Sequence, residues 1–194
     1  MPKLSLRHLR YSHTENRREN EHQISLPGFF SCGAFSESGY IERQSALREL
    51  PVGARSSDYC GCGWIAAYNL LRSLGTVLNI PLLIEQFEHG LVFSGVFGTS
   101  PLFFRRFLKK SGLSPAIFLR RKQFLKSKAK NAVLFYLRPD LSAHYVAFSE
   151  SGKAENNEPL FLFHNTDSGA VFETLSSFLE KTPHRLTIFY AVKK

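Results

Sequence analysis

Five short apolar segments crowd the C-terminal part of the chain: AIFL (116–119), AVLFYL (132–137), HYVAF (144–148), LFLFH (160–164) and LTIFYAV (186–192). Each is rich in β-branched or aromatic residues and bounded by turn formers, the pattern of strands. The stretch before them has the other period. Ile65, Ala66, Leu70, Leu71 and Leu74 recur at helical spacing, and Gly75 stops the run. Two more helices are expected, one over about 81–89 with Pro81 in its first turn, and one opening with Ser100 as N-cap and Pro101. The second closes on basic residues followed by Gly112. A short basic helix near 121–129 and another over about 173–180 complete the reading. Helices first and strands afterwards predict an α+β domain, its N-terminal helices packed on a largely antiparallel sheet.

A chain of 194 residues with 43% apolar content and 18 Phe can bury a core of its own. Residues 1–24 are polar and without period, so they read as an arm, and 25–57 hold turn clusters with a short helix expected in IERQSALREL. This divides the chain into an N-terminal extension, 1–50, and a main domain, 51–194. Three cysteines do not make a disulfide scaffold. The first twenty residues carry no secretory apolar run, and nothing reaches the roughly 18 residues of a membrane span. The cytoplasm, with free thiols, is the expected compartment.

The formal charge of +9 is concentrated. Between Arg105 and Lys130 there are ten Lys or Arg and no Asp or Glu, while the rest of the chain holds 15 basic and 16 acidic residues. Such a segment suits an acidic partner or is a solvated face of two helices. No aromatic-and-basic strand motif accompanies it, which argues against nucleic acid.

The chemistry gathers at DYCGCGWIAAYN (58–69). A thiolate is the useful nucleophile, and a free cysteine has a pKa near about 8.5. The unpaired N–H groups of a helix N-terminus lower that value. Cys62 opens the amphipathic run, whereas Cys60 lies two residues outside it, and Gly61 and Gly63 allow a tight turn and a close approach. Cys62 is therefore the better nucleophile. His144 starts an apolar strand, an awkward place for an imidazole unless its ring faces a cleft. FLFHNTDSGA ends a later strand with Asn165, Thr166 and Asp167. A cysteine at a helix start, a histidine at a strand start and Asn or Asp at a later strand end have the order of a Cys–His–Asn/Asp hydrolase triad.

Cys62-Gly63-Trp64-Ile65-Ala66, then Ala143-His144-Tyr145-Val146, then Asn165-Thr166-Asp167-Ser168-Gly169 resemble the three motifs of papain-like cysteine peptidases of the C39-like group, which includes bacteriocin leader peptidases. The resemblance covers roughly residues 55–192 and implies a papain-like fold, with no cofactor and no metal. It implies hydrolysis of a peptide or amide bond through an acyl-enzyme on Cys62, with His144 as base. The register of the third motif gives Asn165 the orienting role, with Asp167 as the other candidate. His164, by strand alternation, points away from Asn165. The family carries a Gln about six residues before the nucleophile as an oxyanion donor; here that position is Ser56, and the nearest upstream Gln is Gln44. The donor role then falls to the Cys62 N–H together with Ser56, Ser57 or Asp58. One such donor is worth about 2.7–4 kcal/mol of transition-state stabilisation.

Other readings stay open. The same fold serves acyltransferases, deamidases and cell-wall amidases, and the absence of the Gln at that position fits a binding protein on a degenerate peptidase fold. Zinc held by Cys32, Cys60, Cys62 and a histidine is the remaining alternative, although Cys-x-Cys is tighter than the usual structural zinc spacing. Trp64, Phe93 and Phe97 are candidates for cleft wall or core. The expected substrate is a peptide or protein, and the basic segment points to an acidic one.

Overall fold

The computed structural model describes residues 33–76 and 78–192. The arm expected over 1–24 and the thiol of Cys32 lie outside these residues.

Six strands form one antiparallel sheet in the order β3-β8-β4-β5-β6-β7: β3 (Ala116–Phe118), β4 (Asn131–Leu137), β5 (Ala143–Lys153), β6 (Pro159–Thr166), β7 (Gly169–Thr174) and β8 (Leu186–Val192). A separate hairpin, β1 (Pro51–Val52) with β2 (Arg55–Ser56), precedes it. The period-2 pattern splits the sheet's side chains between two cores. Val133, Phe135, Tyr145, Ala147, Tyr190 and Val192 face one side. There they meet α2 (Cys62–Ser73), α3 (Ile80–Glu88) and α4 (Pro101–Lys110). Leu134, Tyr136, Val146, Phe148, Phe161, Phe163 and Phe189 face the other side. That side is closed by α5 (Arg121–Lys126) and α6 (Leu175–Lys181), through Phe124 and Phe178. Much of the phenylalanine content is spent here: Phe163 stacks on Phe178 at 4.1 Å and Phe124 on Phe189 at 5.2 Å. Offset and edge-on rings of this kind add packing energy beyond their buried area.

Helix α2 departs from the expectation of one amphipathic stripe. All residues from Cys62 to Leu71 are buried, polar Asn69 included. The helix is enclosed because residues 33–50 fold over it and contribute Ala34, Ile41, Leu47 and Leu50 to its core. Asn69 is satisfied by that segment, its Oδ1 accepting from the Ile41 N–H at 2.9 Å and its Nδ2 donating to the Ile41 carbonyl at 2.8 Å. The helix expected in IERQSALREL is a single 3-10 turn, Gln44–Leu47. Elements that the sequence pattern does not give are the β1–β2 hairpin, α1 (Ser57–Cys60), broken from α2 at Gly61, a 3-10 turn at Phe93–Gly95, and the edge strand β7.

Candidate active site

Cys62 occupies the first turn of α2, and glycines set its surroundings. A Cβ on Gly63 would run into the Thr99 side chain, and one on Gly61 into the Ser57 carbonyl. The helix end is thus pressed against its neighbours with no room for a larger residue. Burial pushes the Cys62 thiol up to about 11, opposed by the backbone N–H groups of Tyr145, Gly63 and Cys62 itself. A negative charge on this sulfur also works against ionisation of Tyr136 and Tyr145. Cys60, likewise raised to about 11 by burial, turns its thiol to the Val52 and Ser56 carbonyls at 3.7 and 3.6 Å.

His144 is the second residue of β5, next to the Tyr145 N–H that favours the Cys62 thiolate. The ladder between β5 and β6 runs only to Ala147↔His164, so the strands part beyond it. In that opening His144 Nε2 meets the main-chain carbonyl oxygen of Asn165 at 2.9 Å. A carbonyl can only accept, so Nε2 carries the hydrogen and the free lone pair belongs to Nδ1. Burial lowers the pKa of His144, and the Asn165 carbonyl partly offsets this. Its ring also packs edge-on to Tyr136 at 5.6 Å.

Asn165 meets His144 through its backbone, while its side chain is engaged elsewhere. Asn165 Oδ1 accepts from the Gln44 N–H at 3.0 Å, and Nδ2 donates to Gln44 Oε1 at 3.2 Å. Gln44 Nε2 in turn donates to the Asp58 carbonyl at 3.0 Å, in the short helix just ahead of Cys62. Asp167 pairs with Arg138 at 2.5 Å, and Arg138 lies over the Tyr136 ring.

The other sequence candidates have partners of their own. Ser57 is fully buried and its Oγ accepts from Trp64 Nε1 at 3.3 Å, which also places Trp64 in the core. Ser56 donates its hydroxyl to the Asp58 carboxylate, and Arg48 pairs with the same group at 3.5 Å. That hydroxyl, first, holds the Asp58 carboxyl below its ordinary range. Phe93 and Phe97 belong to no core: they are largely exposed and pack edge-on against each other at 5.7 Å. His164 is buried, with Nδ1 2.7 Å from Glu42 Oε1. Glu42, Gln44, Tyr136 and Arg138 were not singled out from sequence as site residues. Gln44 is the nearest Gln upstream of Cys62, but its separation of 18 positions matches no spacing rule.

Among the described residues no group of three or more His, Cys, Asp or Glu could hold a metal ion, and no helix is long and apolar enough to cross a membrane. No protein-family profile and no curated protein matches the chain in sequence. Its structure is similar to the peptidase domain of Streptococcus ComA, a bi-functional ABC transporter involved in quorum sensing. The two share 15% identity over 69% of this chain and 93% of that one, with a TM-score of 0.50. It also resembles a double glycine motif protease from an AMS/PCAT transporter, solved with its leader peptide, at 13% identity over 67% and 84% of the two chains and a TM-score of 0.45. The fold of this chain, helices on a large antiparallel sheet, is therefore that of C39-type, papain-like peptidase domains.

Proposed function

We propose that the protein hydrolyses a peptide or amide bond through a thioester on Cys62, with His144 as its base and Asn165 as the residue that orients His144. The observation that carries this reading is the bond from His144 Nε2 to the Asn165 carbonyl, which leaves the Nδ1 lone pair as proton acceptor. His144 Nδ1 takes the Cys62 thiol proton, giving a thiolate and an imidazolium. The thiolate attacks the substrate carbonyl carbon; a C–S bond forms and the oxygen becomes an oxyanion. Collapse breaks the C–N bond, and the departing amine takes the proton from His144. Water then attacks the thioester, gives a proton to His144 and releases the acid, restoring the thiol.

A thiol desolvated to about 11 is a poor nucleophile at neutral pH. In this reading the His144 imidazolium stabilises the thiolate that burial disfavours. The oxyanion falls to the Cys62 N–H and, in this reading, to Gln44 Nε2. Gln44 Nε2 donates one hydrogen to the carbonyl of Asp58, in the short helix just ahead of Cys62, at 3.0 Å and keeps a second for the oxyanion. In this reading Ser56 spends its hydroxyl hydrogen on the Asp58 carboxylate, the carboxylate has none to give, and Ser57 Oγ is turned to Trp64 Nε1 in the core. The substrate is read as an acidic peptide, the compartment as the reducing cytoplasm, and residues 1–50 as an extension whose part 33–50 packs into the core of the peptidase domain 51–194.

Iodoacetamide labelling against pH tests the reading. A thiolate–imidazolium pair gives a Cys62 rate that is already level near neutral pH and falls about tenfold or more in His144→Ala. A rate that climbs steadily toward pH 11 and ignores His144 overturns it, and favours a protein that binds without reacting.

A further inference from the structure

Asn165 has every polar group it owns engaged, and two residues of the segment before the hairpin engage three of them. Its N–H donates to Glu42 Oε2 at 3.2 Å, its Oδ1 and Nδ2 are held by Gln44, and its carbonyl is on His144. The residue sits at φ 60, in the left-handed region that an L side chain seldom adopts. Asn adopts this region more readily than most side chains, and here bonds to each of its polar groups hold it there. Glu42 is itself fixed. Its Oε1 accepts from His164 Nδ1 at 2.7 Å, and that imidazole is buried and stacked on the Tyr40 ring at 4.0 Å.

We propose that Glu42 is a positioning residue for the base: by holding the Asn165 N–H it keeps Asn165 left-handed and its carbonyl on His144 Nε2, which confines the His144 lone pair to Nδ1. This rests on the reading of His144 as the base. The N–H and the carbonyl of one residue are coupled through a single φ/ψ pair. With the N–H released, Asn165 relaxes to a negative φ and its carbonyl swings off the imidazole. His144 then distributes its hydrogen between both nitrogens, and a share of the molecules present a donor where the mechanism needs an acceptor. The residues that prevent this, 42–44, lie before the stretch that carries the cysteine, histidine and asparagine motifs.

The histidine tautomer reads this directly, through two-bond ¹H–¹⁵N correlation of the full-length protein above pH 7. The unmodified protein gives a single Nε2–H pattern for His144. Glu42→Ala gives a mixed pattern and alkylates Cys62 about tenfold or more slowly. Glu42→Gln, whose amide oxygen still accepts from the Asn165 N–H, recovers most of both. A folded Glu42→Ala that keeps the single Nε2–H pattern overturns the proposal. In the native protein the Asn165 amide also exchanges slowly with solvent; free exchange there overturns it without any variant. The tautomer pattern reports on the clamp and the His144→Ala labelling rate on the hydrolase, so either can fail while the other holds.

Discussion

Arg138 Nη2 lies 2.5 Å from Asp167 Oδ2, and the two partners act on His144 with opposite sign. Burial is the main cause lowering the His144 pKa; the Asp167 carboxylate raises it and the Arg138 guanidinium lowers it further. Asp167→Asn therefore takes away a group that favours the imidazolium. The folded-state value falls further below its ordinary range, and the acid limb of the kcat/KM profile moves to lower pH. Arg138→Gln moves it the other way. The Asp167 side chain is 72% exposed, so solvent and salt limit the effect. A pair of this kind is worth about 0–1 kcal/mol, or up to about fivefold in rate, and less at high salt. A loss well beyond tenfold in Asp167→Asn would show instead that Asp167, and not Asn165, orients the base.

Gly63 shows how tightly the nucleophile's helix is seated. Alanine is the better helix former by roughly 1 kcal/mol. Here its methyl group would meet the side chain of Thr99, a residue that is itself buried. Overpacking typically costs about 1–3 kcal/mol, so the clash outweighs the propensity and Gly63→Ala lowers stability. Gly63→Ala with Thr99→Ala recovers the loss in denaturant unfolding if the contact is the cause. The single variant also displaces the first turn of α2, and Cys62 labelling slows with it.

Backbone conformation makes a separate prediction at Asn165. Its carbonyl contacts His144, and φ is 60. Asn165→Val keeps the carbonyl but carries a β-branched side chain into a conformation that costs of order 1–3 kcal/mol, and it drops both bonds to Gln44. Asn165→Gly drops the same two bonds without the strain. The valine variant should lose more kcat/KM than the glycine variant, by about tenfold. Equal losses would mean that the side chain matters and the carbonyl does not.

The strands, the three main helices and the stop at Gly75 were legible because local periodicity and capping residues encode them, as in Pro101–Lys110 with Ser100 before and Gly112 after. Strand β7 was not, because GAVFET has one weak alternation and pairs only with β6 at the sheet edge. The enclosure of α2 was hidden for another reason. Burial on all sides depends on residues 33–50, whose spacing follows no helical or strand period. At the site, motif order pointed to Cys62, His144 and Asn165, but not to which atoms of Asn165 face the imidazole. That choice is made by Glu42 and Gln44 over more than 120 residues of separation, 123 between Glu42 and Asn165, where no local rule reaches.

The basic segment makes the last prediction, about substrate. Arg105, Arg106, Lys109 and Lys110 project from α4 into solvent, Lys122 and Lys126 from α5, and β3 forms the sheet edge between the two helices. Among the described residues none of these cations has an ion-pair partner. Changing the four on α4 to Glu reverses the field over one flank of that edge. If the substrate is an acidic peptide steered by this field, KM rises about tenfold at low salt while kcat is nearly unchanged, because Cys62 and His144 are untouched. At 1 M salt, where the screening length falls to about 3 Å, the two proteins converge. A KM that ignores both the reversal and the salt would show that the charge is only a solvated face. Loss of kcat instead would place the segment inside the catalytic machinery.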